Sequence, residues 1–238
     1  MSEGGVKPKM YRVEDKYICS EKDMLLLESR VRAVMPGDQY SNNASYRITS
    51  LYFDDYNDRH LADSDDGVSH RMKYRIRIYN GSSDVIKLEI KYKAYNRVFK
   101  KSRTISKGMA ESLISGECVK DDTPSTDSPV TLFNLAIKQD LLRPKIIVEY
   151  DRNAYVFAPG NVRITFDRNI RSSRNITGFL NDKYTCDVIR DMDRILEIKY
   201  DEFLPGFIAQ LLENGNMIQT SYSKYRLCRE YELEQLEV

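Results

Sequence analysis

The chain has 238 residues and balances 37 basic against 36 acidic side chains, a formal net charge of +1. With 41% hydrophobic and 31% charged residues, 17 tyrosines and no tryptophan, it holds enough apolar material for a packed core under a very polar surface, which excludes disordered, collagen-like and coiled-coil chains. No run approaches the roughly 18 to 20 consecutive apolar residues of a membrane span, and Met-Ser-Glu-Gly-Gly at the amino terminus lacks the apolar stretch of a signal peptide. A cytoplasmic protein without direct membrane insertion is the expectation.

In chain order, residues 1–9 read as a flexible segment ahead of one domain over 10–238. Period-two alternation predicts strands near 10–18, 46–55, 70–80, 84–94, 97–105, 145–155, 161–168 and 194–201. Between the first two, Ser20 and Asp23 open a helix with Met24, Leu27, Val31 and Val34 on its apolar face, and Pro36-Gly37 stops it. Asn80-Gly81 supplies the positive backbone angles of a tight hairpin turn. A short helix is predicted over about 106–116, followed by an exposed loop from Cys118 to Asp127. Ser128-Pro129 opens a third helix carrying Leu132, Leu135, Ala136 and Leu142, which ends before Pro144. A fourth follows Leu204-Pro205, with Phe207, Ile208, Leu211 and Leu212 as its apolar face.

Cys19, Cys118, Cys186 and Cys228 form no Cys-x-x-Cys pair, and His60 and His70 are the two histidines. A zinc site or disulfide framework is therefore not expected, and the thiols read as buried or inert.

Strand side chains alternate between faces, so residue parity assigns each to one side. From Arg71 to Ile78 every odd position is basic and every even one apolar or aromatic. The odd positions from Lys87 to Lys93 hold three lysines and Glu89, opposite Leu88, Ile90 and Tyr92. Arg12, Glu14 and Lys16 share a face, as do Lys101 and Arg103, Lys145, Glu149 and Asp151, then Arg163, Thr165 and Asp167, and Glu197 and Lys199. Basic side chains outnumber acidic ones on these faces although the whole chain is balanced. One such strand is ordinary for a sheet with a solvated side; six or more point to a closed antiparallel barrel of about eight strands, with apolar faces turned out against amphipathic helices and charges turned into the lumen. Like charges a few ångströms apart repel by roughly 1 to 4 kcal/mol per pair at intermediate dielectric. Such a lumen calls for a polyanion: arginine forks suit phosphates, and interleaved glutamates suit a hard divalent ion.

The ordered segments Arg-Val-Glu-Asp-Lys-Tyr (12–17), Ser-Leu-Tyr-Phe-Asp (50–54), Lys-Tyr-Arg-Ile-Arg (73–77), Leu-Glu-Ile-Lys (88–91), Lys-Ser-Arg (101–103), Val-Arg-Ile-Thr-Phe-Asp (162–167), Leu-Glu-Ile-Lys-Tyr (196–200) and Ser-Lys-Tyr (223–225) resemble the VTC domain, the polyphosphate polymerase branch of the triphosphate tunnel metalloenzyme (CYTH-like) superfamily. The resemblance implies an α+β fold with a polar tunnel and a metal-dependent transferase that moves the γ-phosphoryl of ATP onto inorganic polyphosphate. Its cofactor would be a divalent metal, Mn2+ or Mg2+. Lys16, Arg75, Arg77, Lys91, Lys101, Arg103, Arg163, Lys199 and Lys224 would bind phosphate. Arg75, Arg77, Lys91, Arg163 and Glu197 would carry catalysis, and Glu197, with Glu14, Glu89 and Glu149, would hold the metal.

Two positions depart from the family pattern. Ser221 stands where the eukaryotic polymerases carry a further lysine, and Arg12 replaces the first glutamate of Glu-x-Glu-x-Lys. A triphosphatase of the same fold is the alternative, and a non-catalytic polyphosphate-binding module the second. A nucleic-acid-binding barrel is disfavoured, because Tyr74 and Tyr92 fall on the face opposite the cations.

Overall fold

A computed structural model describes residues 12–41, 45–95, 97–189, 194–213 and 217–235; the amino-terminal segment expected to be flexible lies outside them. The elements in order are β1 (Arg12–Cys19), α1 (Glu21–Val34), β2 (Tyr46–Asp54), α2 (Arg59–Asp65), β3 (His70–Tyr79), β4 (Ser82–Ala94), β5 (Arg97–Ile105), α3 (Lys107–Ile114), α4 (Pro129–Gln139), β6 (Arg143–Phe157), β7 (Val162–Ser173), β8 (Asp187–Val188), β9 (Arg194–Tyr200), α5 (Gly206–Leu212), β10 (Ile218–Gln219) and α6 (Lys224–Glu234). Each predicted strand and helix forms.

Eight strands close an antiparallel barrel in the order β1-β5-β4-β3-β2-β6-β7-β9, with β9 returning to β1. Neighbours follow hairpin logic wherever the turns are tight. Asn80 and Gly81 both take positive φ, 52° and 70°, and join β3 to β4. The β1/β5 seam is the weak one, with only Arg12 opposite Val98 and Val13 opposite Arg97. The same edge of β1 then pairs with β10, Tyr17 opposite Gln219, and the Thr220 amide donates to the Lys16 carbonyl at 2.9 Å. This pairing carries the chain from Thr220 to Tyr225 over the bore.

The outward strand faces bury two apolar clusters under helices. One joins Ile76, Ile78, Leu88 and Ile90 to α3 and α4. The other joins Ile164, Phe166, Leu196 and Ile198 to α1 and α5. In α1 the Ser20 hydroxyl caps the Asp23 amide at 3.1 Å, and Met24, Leu27 and Val31 are fully buried as their spacing predicts. Val34, Leu135 and Phe207 were expected on buried faces and are exposed.

A third cluster lies on the opposite side of the strands. Ile48, Tyr52, Ile146, Val148, Tyr150 and Ile195 join Leu61 of α2 and Tyr225, Leu227 and Cys228 of α6. The bore is thus partly filled from within, and α6 is seated across it. All four cysteines are free; Cys19 and Cys228 are buried as expected, whereas Cys118 is exposed.

Candidate functional site

Strand register decides which side chains enter the bore. Arg75 lies opposite Tyr52 and Glu89, and Arg77 opposite Ser50 and Lys87. Glu197 lies opposite Lys16 and Thr165, and Lys199 opposite Glu14 and Arg163. The resulting cavity of about 140 Å³ is lined by ten cations, Lys16, Arg71, Lys73, Arg75, Arg77, Lys91, Lys93, Arg152, Lys199 and Lys224, and by two carboxylates, Glu14 and Glu197. Tyr52, Tyr150 and the segment from Thr220 to Tyr225 complete its wall.

The carboxylates are shared among the cations. Glu14 accepts from Lys91 at 2.7 Å and lies 3.2 Å from Lys16. Glu197 accepts from Lys199 at 2.7 Å, with Lys16 at 3.6 Å and Arg152 at 3.5 Å. Burial and the neighbouring Glu197 both push the Glu14 carboxyl up, yet Lys91, Lys16 and Lys199 hold it at about 2. Burial likewise opposes ionisation of Glu197, and Lys199, Lys16 and Lys91 overcome it, leaving the carboxyl well below its usual range. Both are ionised at neutral pH. Lys91 pays for the crowding: burial lowers its ammonium to about 8 against the pull of Glu14.

Two further carboxylates stand behind the lining. Glu89 is 1% exposed, accepts from Arg75 and Lys100 at 2.7 Å each, and lies 3.8 Å from Arg77. It fixes the two arginine forks and does not line the cavity, which corrects its assignment as a metal ligand. Asp167 accepts both arms of Arg152 at 2.6 Å and Lys224 at 2.6 Å. The sequence does not single out Arg152, and it places Asp167 on a charged strand face without a role. Lys224 also sits 4.7 Å from the centre of the Tyr150 ring.

Four predicted residues lie elsewhere. Lys101 is opposite Ile90, and Arg103 opposite Leu88, so both share the outward apolar face of β4. There Lys101 pairs with Asp127 at 2.5 Å and Arg103 with Asp121. The lumen positions of β5 are instead Lys100 and Ser102, because Lys100 faces Lys91 and Ser102 faces Glu89. Glu149 faces outward with Thr49 and bonds the Thr49 and Tyr184 hydroxyls and Arg171. The inward residues of β6 are Ile146, Val148, Tyr150 and Arg152, the opposite phase to the one its charges suggest. Arg163 keeps its lumen parity but donates to Asp38 at 2.6 Å and to the Tyr46 hydroxyl at 3.1 Å, away from the cavity. Neither histidine lines it: His60 is buried against Tyr74, and His70 packs on Tyr95. Ser221, the replacement for a lysine, is in the wall.

Among the described residues no group of three His, Cys, Asp or Glu is arranged to hold a metal. Magnesium and manganese do not need one, since such ions take one or two carboxylates and fill their shell with phosphate oxygens and water. Glu14 and Glu197, adjacent, ionised and facing the cavity, fit that donor set.

The VTC domain family model matches residues 11–232. No curated protein matches the chain. Among solved structures, the PH1819 protein from Pyrococcus horikoshii is 15% identical over 92% of this chain and 99% of its own, with a TM-score of 0.47. A putative adenylate cyclase from Bacillus halodurans is 12% identical over 96% and 90%, at 0.49. The Mimivirus capping enzyme triphosphatase is 11% identical over 87% of each chain, at 0.40.

Proposed function

Since this chain belongs to the VTC domain family, we propose that its bore binds ATP together with inorganic polyphosphate and transfers the γ-phosphoryl group onto the end of the growing chain. The observation that carries this reading is the convergence of ten cations on one cavity with two ionised carboxylates among them. Even with Glu89 and Asp167 behind the wall, positive charge is in excess. A string of linked phosphates offsets that excess along its whole length, which a single small anion does not.

The chemistry asks little of acid–base groups. A terminal phosphate oxygen is already ionised at neutral pH, so an acceptor of this kind needs no histidine, and the lining has none. Phosphoryl transfer then rests on alignment and charge neutralisation. Arg75 and Arg77 are prepared for this role because Glu89 fixes both forks before any ligand arrives. Lys16, Lys91 and Lys199 surround the Glu14 and Glu197 pair and would neutralise the transferring group. Lys224 enters from the far wall, oriented by Asp167. Glu14 and Glu197 would hold a divalent ion, Mg2+ or Mn2+, which supplies additional stabilisation of charge on the phosphoryl oxygens.

Hydrolysis to orthophosphate, with water in the acceptor's place, is the second reading. It is favoured by the apolar cluster that fills the β2 and β6 side of the bore and leaves a small cavity for a growing product. Incubation with ATP and manganese, followed by a gel stained for polyphosphate, separates the readings. Ladders identify a polymerase and orthophosphate alone a triphosphatase. Tight tripolyphosphate binding without either product identifies a binding module and overturns catalysis.

A further inference from the structure

The lining cations divide into two sets. Lys16, Lys91, Lys199, Arg75, Arg77, Arg152 and Lys224 each reach a carboxylate within 3.8 Å. Arg71, Lys73 and Lys93 have no ion pair among the described residues, although all three line the cavity. They are neighbours: Arg71 lies directly opposite Lys93, and Lys73 opposite Lys91. Like charges placed directly across a ladder destabilise a sheet.

Lys73 is the most enclosed of the three. Its ammonium donates to the Ser223 hydroxyl at 2.6 Å and stands 5.4 Å from the centre of the Tyr225 ring. The charged groups acting on it most strongly are Arg71 and Arg75 on its own strand, Lys16 on β1 and Lys91 on β4. Burial and these four neighbours push it well below the usual lysine range. Arg71 reaches the Asp63 carbonyl at 3.5 Å, and the Asp63 carboxylate is its electrostatic counterweight.

We propose that Arg71, Lys73 and Lys93 form a distal anion subsite, loaded by linear phosphate chains that extend past a triphosphate seated on the paired cations. The assignment rests on the reading of the bore as a phosphate-chain site and adds to it the residues that select for length. The inward row from Arg77 through Arg75 and Lys73 to Arg71 covers six strand steps, about 20 Å at roughly 3.3 Å per residue. That exceeds the reach of three linked phosphates. Glu89 anchors one end of the row, whereas at the other end Arg71 and Lys73 make no ion pair among the described residues and Asp63 acts on Arg71 only from beyond ion-pair distance, so an incoming phosphate adds counter-charge there.

The test compares calorimetric binding of tripolyphosphate and of long-chain polyphosphate at pH 7. Wild type binds the long chain more tightly than tripolyphosphate. Lys73→Met weakens long-chain binding by about tenfold, against less than about threefold for tripolyphosphate. Arg71→Gln/Lys93→Gln, at half-buried positions tolerant of change, gives the same selective loss should the first variant fold poorly. Equal losses on both ligands overturn the subsite alone. Failure of wild type to bind either ligand overturns the phosphate reading of the bore, and the subsite with it.

Discussion

On the β3 and β4 side of the bore the inward positions Arg71, Lys73, Arg75, Lys91 and Lys93 are all cations, whereas on the β2 and β6 side Ile48, Tyr52, Ile146, Val148 and Tyr150 are apolar or aromatic. The first side is lined by charge, with Glu89 and Glu14 spread among more cations than they neutralise. The second is closed by packing, with Tyr225 stacked on Tyr52 at 5.1 Å and its hydroxyl bonded to Asp54 at 2.5 Å. Each side depends on the other. An apolar wall lowers the local dielectric, so every cation opposite it acts more strongly on an incoming anion than it would in water.

Substitutions on the charged side should have the largest effects. Glu197→Gln is expected to cut turnover by on the order of 100-fold or more while tripolyphosphate affinity changes little; steady-state kinetics beside calorimetry checks this, and equal loss of both would contradict a metal role. Glu89→Ala strands the enclosed Arg75 and Arg77 without their carboxylate and also frees the exposed Lys100. It should cost about 3 to 5 kcal/mol in urea unfolding, the range for breaking a buried ion pair, and tripolyphosphate affinity should fall with it.

On the packed side, Tyr225→Phe removes one bond to a buried carboxylate and should cost about 1.5 to 3 kcal/mol, read by the same unfolding measurement. A smaller loss would mean that α6 is held by packing alone. Lys101→Ala lies on the outward face, where its ion pair is expected to contribute less than about 1 kcal/mol, and tripolyphosphate binding should stay within about twofold of wild type.

The smallest expected effect is a pH dependence from His60, on the buried face of α2 with its Nδ1 lacking a partner among the described residues. Burial, helped by Arg59, lowers its pKa from the usual 6.5. The unfolded chain therefore takes up a proton that the native state resists, and stability is lost as pH falls below about 6.5. His60→Gln should flatten that part of the curve, as thermal unfolding across pH would show.

Parity was reliable where a strand buries one face and charges the other. On β3, β4 and β9 it placed Arg75, Arg77, Lys91, Glu197 and Lys199 in the bore. It failed on β6, where Ile146, Ile147, Val148, Glu149 and Tyr150 are all buried. Both faces of that strand meet a core, so alternation carries no phase and the charged residue pointed to the wrong side. It failed on β5 for a different reason. Lys100 and Lys101 are adjacent and both basic, and only pairing with β4 separates them. The charge-rich α6 offered too few apolar positions to announce a helix, since much of its buried surface comes from tyrosine and arginine stems.

The sequence by itself determined the eight barrel strands, the capped helix α1, the Asn80-Gly81 hairpin and the segregation of cations onto strand faces, because these follow from local periodicity and backbone preference. Tertiary structure alone decided which carboxylate holds which cation and which cations stay unpaired. It also decided how far α6 and the apolar cluster fill the bore. Those outcomes depend on register between strands distant in sequence, and a shift of one residue would turn every side chain concerned to the other face.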